Sequence, residues 1–363
     1  MKRILLAAIL VLGGVIGMQP QDASAQLVWR VSVKFILNAS GNRPASGGIN
    51  TDTEVQAQID LANQILDAHG RGYRLQLTEI VDVSGVSGWY SAEINSANKS
   101  ALELAAEAAP TTYAWRNNAI NIYINGDDGS AICSFPPGEE IIFVGQNPRT
   151  TTFLHEIGHF MDCCHTQGCP CGSCAAGETG ECNTIPGNDG IAETIPDLEC
   201  WSQNQIAQWT YGLNYNALSA SQQNKVDEVF NNIMSYHNTR NRLSPDQLDR
   251  MACASNGARS NESSGTTWFV GAQSGDEECL DINYLKPSYS TAIAAAGGGD
   301  IIMFRGSQYD YTGTTTKAVT LRTSRGSSIL GTLAAAKLAM GDDEIDAPPP
   351  PELPDTDDGR TGP

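Results

Sequence analysis

Residues 28–37 (VWRVSVKFIL) alternate apolar with polar positions and are rich in β-branched side chains, the pattern of a half-buried strand. A helical pattern follows. Thr51 with Glu54 three residues on forms a capping box, Val55, Ile59, Ala62 and Leu66 share one face, and Gly70 stands where a left-handed cap is needed. A second strand is expected at 73–83, further strands at 119–124, 131–135 and 140–144, and a helix at 150–161. From 163 to 201 all periodicity is lost, with seven cysteines between Cys163 and Cys200 among many Gly, Pro and Asn, as in a disulfide-stapled loop. Helical spacing returns at 221–233 and at 244–253, where Ser244-Pro245-Asp246-Gln247 combines an N-cap, a proline at the first helical position and a capping-box partner. Strands interleaved with helices predict an α/β (α+β) layered domain.

The pattern also divides the chain. Lys2 and Arg3 precede an apolar run to Met18, and Ala23-Ser24-Ala25 supplies small residues for cleavage, so 1–25 read as a secretory signal peptide. The run is about 15 residues long, short of the roughly 20 that a spanning helix requires, and no later segment is long enough. Residues 26–255 form the main domain, 256–266 a linker, 267–340 a small β-rich unit and 341–363 an acidic, proline-rich tail that cannot bury enough surface to fold.

Composition narrows the function. With 22 Lys+Arg against 41 Asp+Glu the net charge is −19, which repels polyphosphate and leaves no basis for a nucleic-acid partner. All ten cysteines lie beyond the cleavage site, in a compartment where thiols oxidise, so disulfides are the default reading for most of them. The expected location is extracellular, at the cell surface or periplasmic. Oligomeric state is not legible in the sequence.

The chemistry concentrates in His155-Glu156-Ile157-Gly158-His159-Phe160-Met161-Asp162-Cys163-Cys164-His165. Helical positions four apart lie one turn above each other, so His155 and His159 can present imidazole nitrogens to one ion. Glu156 falls beside that ion without ligating it, placed to take a proton from water. If the chain then leaves the helix, His165 supplies a third nitrogen and leaves a fourth position open, the catalytic arrangement for zinc. A helix with incidental histidines is the bland alternative; a third histidine at the required spacing argues against it.

These residues resemble the metzincin signature HExxHxxGxxH at every ligand position, with Asp162 where the family has glycine. A glycine there adopts positive φ, which Asp is among the few other residues to tolerate. Downstream, Asn232-Ile233-Met234-Ser235-Tyr236 resembles the family's Met-turn. With Ser244-Pro245-Asp246-Gln247 and the loop from Gly187 to Pro196, it is similar to the pappalysin and cytophagalysin branch over residues 27–254. The resemblance implies a mixed twisted sheet, an active-site helix and Met-turn, a catalytic zinc on His155, His159 and His165, Glu156 as general base and then acid, and a protein or peptide substrate bound along an edge strand at 130–135. Met234 would form an apolar floor, and Tyr236 would lie near the metal; a core tyrosine is its structural alternative. The same branch implies a structural calcium near Asp189, Glu193 and Asp197, where solvated loop acids are the other reading, and a disulfide between Cys182 and Cys200.

Three matters stay open at this level. Cys163 and Cys164, with Cys169, Cys171 and Cys174, could hold a second, structural metal in place of disulfides, and a cysteine ligand closing the zinc site would make the protein an extracellular binding module. No latency segment is evident between the cleavage site and the first strand. Residues 267–340 resemble the opening turns of a pectate-lyase-like parallel β-helix, read as a truncated solenoid, an incomplete cap or an accessory module.

Overall fold

In the computed structural model the described residues are 26–330 apart from 46–47, 130, 147–148, 168–188, 192–193, 199–200, 272–281, 306–307, 310–315 and 325–328. The apolar alternation at the start becomes β1 (Leu27–Ile36), whose side chains are buried along nearly its whole length. Strand β2 (Tyr73–Val83) pairs with it in parallel, and β3 (Ile120–Ile124) pairs with its other edge, again in parallel. Strand β4 (Ala131–Ile132) and β5 (Ile141–Val144) complete the order β2-β1-β3-β5-β4, with β4 antiparallel to β5 at the edge. The sheet is therefore mixed, as the resemblance implied. The edge strand is shorter than the expected 131–135, because only Ala131 and Ile132 find partners, on Val144 and Phe143.

Helices cover both faces. Helix α1 (Asp52–Asp67) has the Thr51–Glu54 capping box in place and buries Val55, Ile59, Ala62, Ile65 and Leu66. After it, Gly70 takes φ +61°. On β3 and β5, Ile122, Ile124, Ile142 and Val144 face the same core as α1, whereas Tyr123, Ile141 and Phe143 face a second core under α2 (Ser96–Ala108). Burial on both faces explains why these strands read as continuous apolar runs. A single turn, α3 (Pro110–Tyr113), follows α2.

The edge strand is braced from α2. Glu139 accepts hydrogen bonds from Ser100 Oγ and Ser134 Oγ, both at 2.5 Å, with Lys99 Nζ at 3.4 Å. These bonds, with the Lys99 charge, hold its carboxyl well down, at about 2. A carboxyl depressed in the folded state stabilises it above the ordinary value of 4.5, and that stability is lost as pH falls towards 2. Glu139→Gln is accordingly expected to flatten the acid side of a melting-temperature profile across that window; an unchanged acid slope would refute the bracing.

Helix α4 (Thr152–Phe160) lies wholly buried against the sheet and α1. Helices α5 (Gln203–Tyr211) and α6 (Ala220–Phe230) pack on each other, and α7 (Pro245–Asn256) begins with the Ser244–Gln247 capping box. The segment expected as a linker is structured: β6 (Ser263–Ser264) pairs antiparallel with Val28 and Trp29, and Tyr284 Oη donates to the Asn256 carbonyl at 2.6 Å. Such short polar strands carry no periodicity, which is why the sequence reads as a connection.

Beyond it, β7 (Thr267–Val270), β8 (Leu285–Lys286), β9 (Ile301–Phe304) and β11 (Thr320–Thr323) form a parallel sheet in the order β11-β9-β7-β8, with α8 (Tyr289–Ala295) against it. Strand β10 (Gln308–Tyr309) pairs in parallel with β12 (Ile329–Leu330). Phe269, Leu285, Ile301 and Met303 join the main core. Arg71, between α1 and β2, makes a short ion pair with Asp249 on α7 and donates to the Ser324 carbonyl at 2.7 Å, while Arg305 reaches Asp249 from the other side at 3.1 Å. No described helix is long and apolar enough to cross a membrane.

Candidate metal centre

Helix α4 carries the first two histidines, and its C-terminus decides where the third goes. Asp162 takes φ +74°, the Cys163 amide donates to the Gly158 carbonyl at 2.8 Å and the Asp162 amide to the His159 carbonyl at 2.9 Å, the bond pair of a Schellman cap. The positive φ expected for Asp162 is observed. That turn sends the chain back across the helix end, so that Cys163 offers its carbonyl to His159 Nδ1 at 2.7 Å and His165 arrives beside both helical histidines. Because a non-glycine residue is held left-handed here, Asp162→Gly is expected to raise stability by up to about 1 kcal/mol without changing metal affinity. A lower melting temperature would show instead that the Asp side chain holds the turn.

The three Nε2 atoms converge. His159 Nε2 lies 2.8 Å from His165 Nε2, which lies 3.2 Å from His155 Nε2. A tetrahedral zinc with nitrogen bonds of about 2.0–2.1 Å holds its ligand atoms roughly 3.3 Å apart, so the triad fits that ion. Second partners set the tautomers: His155 Nδ1 lies 2.7 Å from the Ile233 carbonyl, as His159 Nδ1 does from that of Cys163. With Nδ1–H engaged, each Nε2 lone pair faces inward. Burial keeps the imidazoles neutral, helped by the Arg240 charge and, for His155 and His165, by neighbouring histidines: His159 is lowered to about 4, and His155 and His165 lie well below their usual value. Neutral nitrogen is the form that binds metal.

The loop after α6 packs against α4 beside the triad. Met234 is fully buried, and a Cβ on Gly158 would stand 2.3 Å from its sulfur, so this helix position admits glycine alone without a shift. Asn232 shapes the loop, accepting from the Met234 amide at 2.8 Å and donating to Gln247 Oε1 at 3.0 Å. Gln247 is thus both capping partner of α7 and anchor of the loop; it also donates to Asp189 Oδ2 at 2.9 Å. The Tyr236 ring stands 4.5 Å from that of His165 and 6.1 Å from that of His155, at the site and not in the core.

Glu156 is buried, which pushes its carboxyl up to about 7 against the pull of a hydrogen bond from Cys133 and the charge of Arg240. A carboxylate tuned close to neutrality is an efficient proton acceptor and donor. Its carbonyl accepts from Cys133 Sγ at 3.2 Å, just beyond β4, and Phe135 meets the His159 ring edge-on at 5.3 Å.

Other expected site residues fall differently. Asp189 receives the Ile191 amide, Thr194 Oγ1 and Gln247, while Asp197 receives Thr166 Oγ1 and faces His237 Nε2 at 2.9 Å. Each carboxylate is engaged by donors, and among the described residues the histidine triad is the group of three able to hold a metal, so the calcium expectation gains no support. Glu193, Cys182 and Cys200 lie outside the described residues. Cys133 and Cys163 are free thiols, and Cys164 and Cys253 are disulfide-bonded. The Cys163 sulfur points to the Gln247 carbonyl at 3.5 Å. Asp197 thereby ties His237, in the loop after Tyr236, to Thr166, the residue following His165; a lone histidine in a polar run has no sequence pattern to mark this link.

No protein-family model matches the chain, and no curated protein matches it. Among solved structures, mirolysin in complex with compound 9 aligns with 66% of this chain and 96% of its own at 17% identity and a TM-score of 0.42. A chaperone-substrate complex aligns with 39% of this chain and 27% of its own at 13% identity and a TM-score of 0.28. Both likenesses are remote, and the site is read from its own geometry.

Proposed function

We propose that this chain is a secreted zinc-dependent endopeptidase of the metzincin type, close to the pappalysin branch. The observation that carries the reading is the convergence of the three Nε2 atoms, with the Nδ1 atoms of His155 and His159 turned to backbone carbonyls, next to a buried Glu156. Zinc held there supplies Lewis acidity, making water acidic and a carbonyl electrophilic. Glu156 accepts the proton of the attacking water and hands it to the leaving amine nitrogen. Tyr236 donates a hydrogen bond to the oxyanion that develops on the former carbonyl. The substrate is a peptide laid along β4, whose outer edge is free of any strand partner among the described residues. Met234 and its loop correspond to the Met-turn. The apolar run before residue 26 and the disulfide-bonded Cys164 and Cys253 support export.

The alternative, a binding module with a structural zinc, requires a fourth protein ligand. Cys163 points to α7 and Cys164 is in a disulfide, which counts against it. X-ray absorption at the zinc edge of the loaded protein should show nitrogen and oxygen neighbours only; a sulfur neighbour would restore the structural reading.

A further inference from the structure

Other buried or half-buried cations in the described chain have acceptors: Arg71 and Arg305 share Asp249, Lys34 has Asn121, Lys99 has Ser134 and Glu139, Arg250 the Asp189 carbonyl at 3.2 Å, and Arg259 the Glu139 carbonyl at 3.0 Å and Glu140 at 3.8 Å. Arg240 departs from this. It is 5% exposed, and among the described residues no carboxylate lies within ion-pair distance of it. Its contacts are long: Nη1 to the Ser235 carbonyl at 3.4 Å and to His155 Nδ1 at 3.3 Å. The second is a donor facing a donor, because His155 Nδ1–H is directed at Ile233. The planar fork of five N–H groups is therefore left largely unused.

The position of that charge is the second observation. Its Nη1 lies 3.3 Å from the ring of His155, one of the three converging histidines, so the guanidinium adjoins the candidate metal centre. Arg149, exposed just ahead of α4, donates to the Tyr236 carbonyl at 3.3 Å, has no carboxylate partner among the described residues, and repels Arg240. A cation beside a metal site opposes metal binding, and burying it unpaired is costly. In a chain with 41 acids against 22 bases, a pairing carboxylate would be easy to supply, yet none is present in the described residues.

We propose that Arg240, with Arg149 at its rim, forms a carboxylate subsite beside the metal centre, so that the peptide cleaved carries Asp or Glu next to the scissile bond. The inference rests on the peptidase reading. A guanidinium accommodates a carboxylate in a two-bond fork, and the substrate's acid supplies the missing partner.

The test uses the zinc-loaded full chain and peptides that differ only at the residues flanking the scissile bond: Asp, Glu, Asn, Gln, Ala or Lys. Acidic peptides are expected to exceed their amide counterparts in kcat/KM by about ten-fold or more, the effect of a charge-assisted pair. Arg240→Glu should turn the preference towards Lys at the same position, with zinc content and melting temperature retained, and Arg149→Met, at an exposed position, should reduce it several-fold. Cleavage without acidic preference, or a preference unchanged in Arg240→Glu, overturns the subsite and leaves the peptidase reading standing. Calorimetry on zinc-loaded Glu156→Ala separates the two. Tighter binding of the Asp peptide than of its Asn twin, abolished by adding Arg240→Met, supports the subsite even where nothing is cleaved; equal binding overturns it.

Discussion

Glu156→Ala is expected to retain a full equivalent of zinc and to lose peptidase activity by about two to four orders of magnitude, the range that proton transfer by a positioned side chain contributes. On the proposed mechanism, ligation and proton transfer are divided between residues. The three histidines lie within 4.8 Å of one another through their ring nitrogens, whereas Glu156 is buried beside them with its carboxyl raised to about 7. Removing the carboxylate should therefore leave the ligand set untouched. Glu156→Gln, which keeps the shape but cannot accept a proton, should fall as far. Activity at the wild-type level in either variant, with zinc content confirmed, would remove Glu156 from the mechanism. Zinc loss would show instead that the carboxylate helps hold the site together.

The second large effect concerns stability. Asp249 is fully buried between Arg71, 1% exposed, and Arg305, and it joins α7 to the α1–β2 connection and to the parallel sheet that follows α7. Asp249→Ala strands the buried Arg71 guanidinium and removes the partner of the half-buried Arg305, and removing one partner of a buried pair typically costs about 3–5 kcal/mol. For a chain of this size that corresponds to a fall in melting temperature on the order of 10 °C. Asp249→Ala combined with Arg71→Met should recover part of the loss, since an apolar replacement needs no partner. A loss below about 1 kcal/mol in the single variant would mean that the three charges are hydrated, and that the C-terminal sheet docks on apolar contacts alone.

The candidate metal site was legible because its three histidines sit in one short stretch, two of them at helical spacing, and because Asp162 is a residue type that tolerates the turn that brings His165 to the other two. The same holds for the caps: Thr51 with Glu54 and Ser244 with Gln247 start their helices as their spacing implies. Helix α2 was not legible, since two of its four buried positions are Lys99 and Glu103 and one of its two leucines, Leu104, faces solvent, which erases the periodic signal. Helix α5 buries only Ile206 and Ala207. The packing of 256–266 depends on a two-residue strand that meets β1 across the whole length of the domain, and no local pattern encodes so distant a partner. Arg240 reads as one of several basic residues in a polar loop, and only the fold reveals that it is buried with no carboxylate at ion-pair distance among the described residues.

The measurement that bears most directly on the central claim is hydrolysis of a mixed peptide library by the purified protein loaded with zinc, in the presence and absence of a chelator, with cut sites read by mass spectrometry. Cleavage that stops with chelation and returns when zinc is restored is the predicted result. Intact peptides after incubation with protein shown to hold one zinc per chain would contradict it.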